Sequence, residues 1–174
     1  MAVQFPGSSG NYFRLASALS TNGCSYFGKI RLPSVPSGDV IPAAIHTSAT
    51  SALINKGGSY WDSAQQHALI LQPGSGVYNV NEMAFWDSPS SAFKSGISPG
   101  TWLAFAIIGY EANGRTAVKF AVKPEGGSYA SRVRNDSYFS GAGFDTFTNA
   151  VLTLGGGTGG SNPPAMLTKD VILY

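Results

Sequence analysis

The chain has 174 residues, a length at which one domain is the usual organisation, so we expect a single domain spanning residues 1–174. Charged residues make up 11% and hydrophobic residues 43%, which excludes disorder, and the net charge of +2 with scattered Lys and Arg argues against a nucleic-acid partner. The single cysteine, Cys24, excludes an intramolecular disulfide, and the lack of a long apolar run argues against a membrane partner.

The N-terminal residues lack the basic and apolar regions of a secretory signal. The initiator Met stands directly before a strand-like segment, which favours a protein made and used without export. Neither end carries a linker or a low-complexity tail, so the expectation is a whole protein and not a module of a larger enzyme.

Frequent Gly and Pro separate short segments rich in β-branched and aromatic residues, which is the pattern of an all-β protein. Only Ser63–Ala68 and Ser88–Lys94 could form a turn or two of helix. In chain order, the predicted strands are Tyr12–Leu15, Phe27–Pro33, Ala44–Thr47, Ala52–Lys56, His67–Gln72, Val77–Val80, Met83–Trp86, Trp102–Tyr110, Ala117–Lys123, Arg132–Arg134, Val151–Leu154 and Asp170–Tyr174.

The clearest strand pattern lies between Trp102 and Lys123. Leu103–Ile108 is apolar on both faces and predicts a central strand, whereas Ala117–Lys123 alternates and predicts one solvated face. Asn113-Gly114 between them is a strong hairpin signal, because both residues tolerate positive φ. Many short strands with little helix predict an antiparallel β-sandwich or jelly roll, with a closed barrel as the alternative.

Eight segments spread along the chain carry a likeness to a known family. They are Val3–Leu15, Phe27–Pro33, Leu53–Gly57, His67–Leu71 with Gly76–Val80, Gly100–Phe105, Val118–Val122, Leu152–Gly156 and Asp170–Tyr174. Their order resembles the concanavalin A-like jelly rolls of the laminin-G-like (LamG/pentraxin-type) superfamily. The likeness implies that fold, with the two chain ends in neighbouring strands. It implies no single function, since the fold serves lectins, glycosidases, adhesive modules and viral coat components.

The glutamates do not form the acidic pair of a glycosidase. Retaining glycosidases need two carboxylates about 5 Å apart. None of Glu82, Glu111 and Glu125 is followed by an acid two residues later. Glu82 and Asp87 could meet across a short loop, but we favour a solvated loop there. The sequence therefore predicts no catalytic residues, with a glycoside hydrolase or lyase of the same fold as a remote alternative.

Histidines and aspartates offer no clear ligand set. His46 and His67 lack the sugar-site motif of the galectins, which share the fold, and we expect both as cross-strand or edge residues. No two of the six aspartates lie within five residues, whereas calcium usually takes several carboxylates. We therefore expect no cofactor and no metal, and calcium remains a disfavoured alternative.

The best binding candidates lie in two copies of one three-residue pattern, in which an aromatic residue is followed by Trp and then by Asp. An aromatic ring can stack on the C–H face of a sugar while Asp or Asn bonds its hydroxyls. The alternative is that Trp61 and Trp86 pack at the edge of the hydrophobic core and have no ligand. We expect Trp102 inside the core. The predicted glycan-binding residues are Tyr60, Trp61, Asp62, Tyr78, Asn79, Asn81, Trp86 and Asp87.

The preferred function is a non-catalytic structural or interaction protein of a virion surface, with glycan contact. It would be a capsid decoration or tail-associated phage protein, made in the host cytoplasm. The alternative is an extracellular carbohydrate-binding lectin or adhesin. Low charge and abundant aromatic residues would leave apolar surface exposed, so we also expect a homo-oligomer or contacts with other virion proteins.

Overall fold

The structure, a computed structural model, describes residues 1–8, 11–14, 19–21, 24–47, 66–83, 91–112, 115–135, 147–156 and 162–173. All regular elements in these ranges are strands, which confirms the all-β prediction, and no helix suited to crossing a membrane occurs in them. The strands are β1 (Val3–Pro6), β2 (Phe13–Arg14), β3 (Leu19–Thr21), β4 (Cys24–Arg31), β5 (Val40–Thr47), β6 (Gln66–Pro73), β7 (Tyr78–Met83), β8 (Lys94–Ile97), β9 (Leu103–Ala112), β10 (Arg115–Pro124), β11 (Ala130–Asn135), β12 (Phe147–Leu154) and β13 (Ala165–Leu173).

The strands form two antiparallel sheets. The six-stranded sheet has the order β1-β13-β4-β9-β10-β11, and the seven-stranded sheet has the order β2-β12-β5-β6-β7-β8, with β3 also paired to β12. Both sheets end in edge strands, so the molecule is an open sandwich and the closed-barrel alternative is wrong. β1 pairs with β13, which confirms that the first and last strands are neighbours.

The core lies between the sheets because side chains alternate along every strand. Leu69 and Val80 face inward from the seven-stranded sheet, and Phe105 and Phe120 face them from the six-stranded sheet. Burying a side chain of this size contributes about 1.5–3 kcal/mol. The same alternation decides which residues lie on the two outer faces.

The central hairpin is confirmed. β9 lies between β4 and β10, and Ala112 pairs with Arg115 across a two-residue connection. On β10, Val118 and Val122 are buried while Lys123 is exposed, as the alternating pattern predicted.

Several predicted elements differ from the observed ones. Val77–Val80 and Met83–Trp86 were separate predictions, but one strand, β7, runs from Tyr78 to Met83. The two segments that could form a turn or two of helix contain no helix within the described residues, since β6 begins at Gln66 and β8 begins at Lys94. β3 and β8 are too short to give a periodic signal. The predicted strand Ala52–Lys56 lies outside the described residues.

Candidate functional site

A set of polar side chains lies on the outer face of the seven-stranded sheet. Gln72 on β6 pairs with Asn79 on β7, and both side chains point outward because their neighbours Leu71 and Val80 face the core. Asn81 lies two residues further along the same face of β7. Asp39, directly before β5, completes the set through its bond to Gln72. These four residues, Asp39, Gln72, Asn79 and Asn81, form what we call the amide row.

Hydrogen bonds fix the orientation of each member of the amide row. Gln72 Nε2 donates to Asp39 Oδ2 at 3.1 Å, and Asn81 Nδ2 donates to Gln72 Oε1 at 3.2 Å. The backbone N–H of Gly96 donates to Asn79 Oδ1 at 3.0 Å. Asp39 is exposed and Gln72 and Asn79 are half-buried, so a carboxylate acceptor and amide donors lie within reach of a ligand.

Two of the predicted glycan-binding residues, Asn79 and Asn81, belong to this row. Asn81 is only 3% exposed, so it positions Gln72 and offers little surface of its own. Tyr78 pairs with Pro73 and lies completely buried in the core, where desolvation raises its pKa to about 12. Its burial corrects the expectation that the Tyr78 ring contacts a sugar. The remaining predictions, Tyr60, Trp61, Asp62, Trp86 and Asp87, lie outside the described residues.

Sequence reasoning missed Asp39 and Gln72. The alternation around Gln72 would have placed its side chain opposite to Leu71, on the outer face. The neighbourhood of Asp39 and Gln72 depends on the register between β5 and β6, which contains a bulge after Val40. Because that pairing joins residues far apart in the chain, a local sequence pattern could not predict it.

Glu82 forms a buried ion cluster with two arginines. Its carboxylate is completely buried on the inner face of β7, with Arg132 Nη1 at 3.4 Å and Arg134 Nη1 at 3.8 Å from Oε1. Arg132 also donates to the carbonyl of Ser91 at 2.9 Å and lies 5.6 Å from the Phe93 ring centroid. Desolvation raises the Glu82 pKa, against the opposing effect of both guanidinium groups. The solvated-loop interpretation of Glu82 is therefore wrong.

His67 lies on the inner face of β6, opposite Ile45, as expected for a cross-strand residue. Complete burial lowers its pKa from 6.5 to about 3, because desolvation disfavours the imidazolium form. The ring is therefore neutral at neutral pH.

Trp102 lies outside the core, against expectation. It is half-buried, just before β9, on the outer side of the six-stranded sheet. The Arg31 guanidinium and the Lys169 ammonium lie 4.9 and 4.3 Å from its ring centroid. Trp102 forms one wall of a groove of about 270 Å³, whose other lining residues are Lys29, Ala104, Lys123, Pro124, Glu125, Gly126 and Lys169.

No group of three or more His, Cys, Asp or Glu side chains is arranged to hold a metal ion within the described ranges. Four of the six aspartates that the calcium alternative would draw on lie outside those ranges; they are Asp62, Asp87, Asp136 and Asp145.

No protein-family model and no curated protein matches the sequence of this chain. Solved structures do match. Tailspike protein 2 from Escherichia coli O157:H7 bacteriophage CAB120 has 15% identity and a TM-score of 0.56, over 98% of this chain and 22% of the tailspike. The alginate lyase from Klebsiella pneumoniae has 12% identity and a TM-score of 0.53, over 87% of this chain and 59% of the lyase.

Lectin I-B4 from Griffonia simplicifolia has 9% identity and a TM-score of 0.51, over all of this chain and 77% of the lectin. At such identities, structural similarity establishes the fold alone. Together with the two antiparallel sheets, it shows that this chain has the concanavalin A-like jelly-roll fold that its segment order implied.

Proposed function

We propose that the chain is a non-catalytic, polysaccharide-binding component of a virion surface, either tail-associated or a capsid decoration, and that the amide row contacts the sugar. The observation that carries the proposal is the pre-oriented set of amide and carboxylate groups on the outer face of the seven-stranded sheet.

The chemistry of the amide row suits sugar hydroxyls. A sugar presents neighbouring hydroxyl groups that donate and accept hydrogen bonds. Gln72 and Asn79 offer amide groups on adjacent strands about 4.8 Å apart, and Asp39 adds a carboxylate acceptor beside Gln72. Because neighbouring groups already hold Gln72 and Asn79, binding would cost less side-chain entropy than at mobile side chains.

The non-catalytic part of the proposal draws on Glu82. This carboxylate was the sequence candidate for a catalytic pair with Asp87, yet it lies between the sheets beside two arginines. A buried carboxylate held this way is poorly placed to reach a polysaccharide on an outer face.

The virion part of the proposal draws on a phage tailspike of the same fold and on exposed apolar residues along one edge of the sandwich. Val3 and Phe13 are each 56% exposed there, and Val171 is 41% exposed. Such an edge suits contact with a second copy or with another virion protein. The genes that flank the coding sequence test this part, since capsid and tail genes lie together; a neighbourhood of unrelated enzymes would contradict it.

Binding is tested on a glycan array with the full chain and with the Gln72→Ala and Asn79→Ala variants. We expect saccharide binding that weakens about tenfold or more in each variant, with unchanged melting temperature. Gln4→Ala is the matched control, because Gln4 is exposed on β1 of the other sheet. Undiminished binding in both variants would overturn the role of the amide row. Release of unsaturated or reducing sugar ends by the parent chain would overturn the non-catalytic assignment and favour the lyase or hydrolase alternative.

A further inference from the structure

A row of basic residues crosses the outer face of the six-stranded sheet. Lys169 on β13 pairs with Lys29 on β4, Lys29 pairs with Ala104 on β9, and Ala104 pairs with Lys123 on β10. All four side chains point outward, since the adjacent residues Thr168, Ile30, Phe105 and Val122 are buried on the inner side. Adjacent strands lie about 4.8 Å apart, so three ammonium groups share one short stretch of surface.

A groove forms along this row because its members differ in size. Ala104 has a small side chain and leaves space between Lys29 and Lys123. Trp102 stands at one side, and the Pro124–Gly126 turn is tied to it by the bond from the Glu125 N–H to the Trp102 carbonyl at 2.8 Å. We call the set of Lys29, Trp102, Ala104, Lys123, Glu125 and Lys169 the basic groove.

Two features position the Lys169 ammonium group. The Lys169 ammonium lies 4.3 Å from the Trp102 ring centroid, where the ring quadrupole attracts a cation. Directly after Lys169, the pairing of β13 with β4 is interrupted by a bulge, and Asp170 has a φ of 54°. Bulges of this kind re-aim neighbouring side chains and occur often beside functional sites. Lys169 is thus positioned by both the ring and the backbone.

The charges around the basic groove indicate what it would bind. Lys29, Lys123, Lys169 and the nearby Arg31 supply four cations, whereas Glu125 and Asp170 supply two carboxylates. Asp170 lies 3.0 Å from the Lys29 ammonium, and the hydrogen bond to Lys29 holds the Asp170 pKa below its usual range. A fitting ligand therefore carries an anion for the lysines and hydroxyl donors for the carboxylates.

We propose that the basic groove binds a uronate unit of an acidic polysaccharide, with the sugar carboxylate on Lys123 and Lys169 and the hydroxyls toward Glu125. DNA fits less well, because its backbone carries phosphates without hydroxyl donors and would meet both carboxylates as like charge. The inference adds a ligand class to the proposed polysaccharide contact, but it rests on the opposite sheet and does not depend on the amide row.

The test is titration calorimetry of the full chain at low salt with four ligands: trigalacturonate, its neutral methyl ester, a sulfated disaccharide and a short DNA duplex. We expect trigalacturonate to bind at least tenfold more tightly than the methyl ester, and rising salt to weaken it. Lys123→Gln and Lys169→Gln should each weaken binding about tenfold, because each removes one charge-assisted hydrogen bond. Arg14→Gln is the matched control, since Arg14 is exposed on β2 of the other sheet and its loss changes the net charge equally.

Three results would overturn the inference. Equal binding of the sulfated disaccharide or the DNA duplex would show a general polyanion surface, with no selection for uronate. Absence of trigalacturonate binding would remove the ligand class. Binding that survives both lysine variants but is lost in Gln72→Ala would place the acidic sugar on the amide row; the proposed function would then stand and the basic groove would not.

Discussion

The two long edges of the sandwich differ in the side chains that occupy them, which are charged at one edge and mostly apolar at the other. At one edge, where β11 faces β7 and β8, Glu82 is enclosed by Arg132 and Arg134, and Arg132 packs over Phe93; we call this the charged edge. At the other edge, beside β1 and β2, an apolar groove of about 360 Å³ is lined mostly by apolar side chains; we call this the apolar edge. Its lining residues are Met1, Val3, Phe5, Phe13, Leu154, Thr168, Lys169, Asp170 and Val171.

The difference follows from the cost of leaving each kind of group unpaired. A buried carboxylate without a cation costs several kcal/mol, on the order of 3–5, so the charged edge must be completed within the chain. An exposed apolar side chain costs far less and can be covered later by a second molecule. The charged edge thus contributes to specifying the fold, whereas the apolar edge suits assembly.

The largest expected effect is at the apolar edge, in Gly155→Ala. Gly155 has a φ of 87°, and an added Cβ would lie 2.8 Å from Cε1 of the Phe5 ring. Strained backbone and a displaced core ring should together lower the free energy of unfolding by about 3 kcal/mol or more. Urea titration measures the change. Gly38→Ala is the control, because an added Cβ there meets no atom within 4 Å; similar losses in both variants would contradict the packing argument.

At the charged edge, Arg132→Met removes the nearer partner of a buried carboxylate. The free energy of unfolding at pH 7 should fall by about 2–3 kcal/mol. Adding Glu82→Gln should restore most of the loss, because the completely buried carboxylate is then absent. A double variant as unstable as Arg132→Met alone would show that Arg132 acts through its packing on Phe93 and not through its charge.

Acid should destabilise the protein through His67. The unfolded chain takes up a proton below pH 6.5, whereas the folded chain resists it down to a pKa of about 3, so the free energy of unfolding falls as the pH falls across this window. The slope should approach about 1.4 kcal/mol per pH unit. Glu82 has the opposite effect. Burial raises its pKa, so the folded state binds a proton at a higher pH than the unfolded chain does, and the contribution of Glu82 to the free energy of unfolding grows as the pH falls.

His67→Gln should flatten the acid limb of unfolding curves measured between pH 6.5 and 4. Arg132→Met should respond the other way and recover stability in acid, because protonation neutralises a buried carboxylate that has lost its nearer guanidinium. If His67→Gln left the slope unchanged, the imidazole would be excluded as its cause.

The smallest effect on stability is expected for Phe13→Ser at the apolar edge. The ring is 56% exposed, so the free energy of unfolding should change by about 0.5 kcal/mol or less. If the apolar edge is the contact between copies, the variant should nevertheless shift the protein toward monomer in light scattering. Tyr129→Ser is the matched control, since that ring is also 56% exposed but lies beside Lys119 on the six-stranded sheet. A parent protein that is already monomeric would contradict the proposed oligomer.

Much of the fold could be predicted from local pattern, but little of the candidate sites could. Alternation along β10 places Val118 inward and Lys123 outward, and the Asn113-Gly114 hairpin aligns β9 with β10, because both signals depend on residues close in sequence. Glu82 could not be placed in this way. The chemical character of Glu82 alone does not reveal that two arginines, 50 and 52 positions later in the chain, will lie beside it between two sheets.

By itself, the sequence indicated an antiparallel β-sandwich, with a closed barrel as the alternative, because strand period and turn residues are local properties that do not depend on knowledge of strand pairing. The neighbouring ends were implied only by the resemblance of its segment order to the concanavalin A-like jelly rolls. Only the tertiary structure decided that Tyr78 and Glu82 face inward, that Trp102 lies outside, and that lysines from three strands line one groove. Those outcomes depend on strand register and sheet stacking, which join residues far apart along the chain.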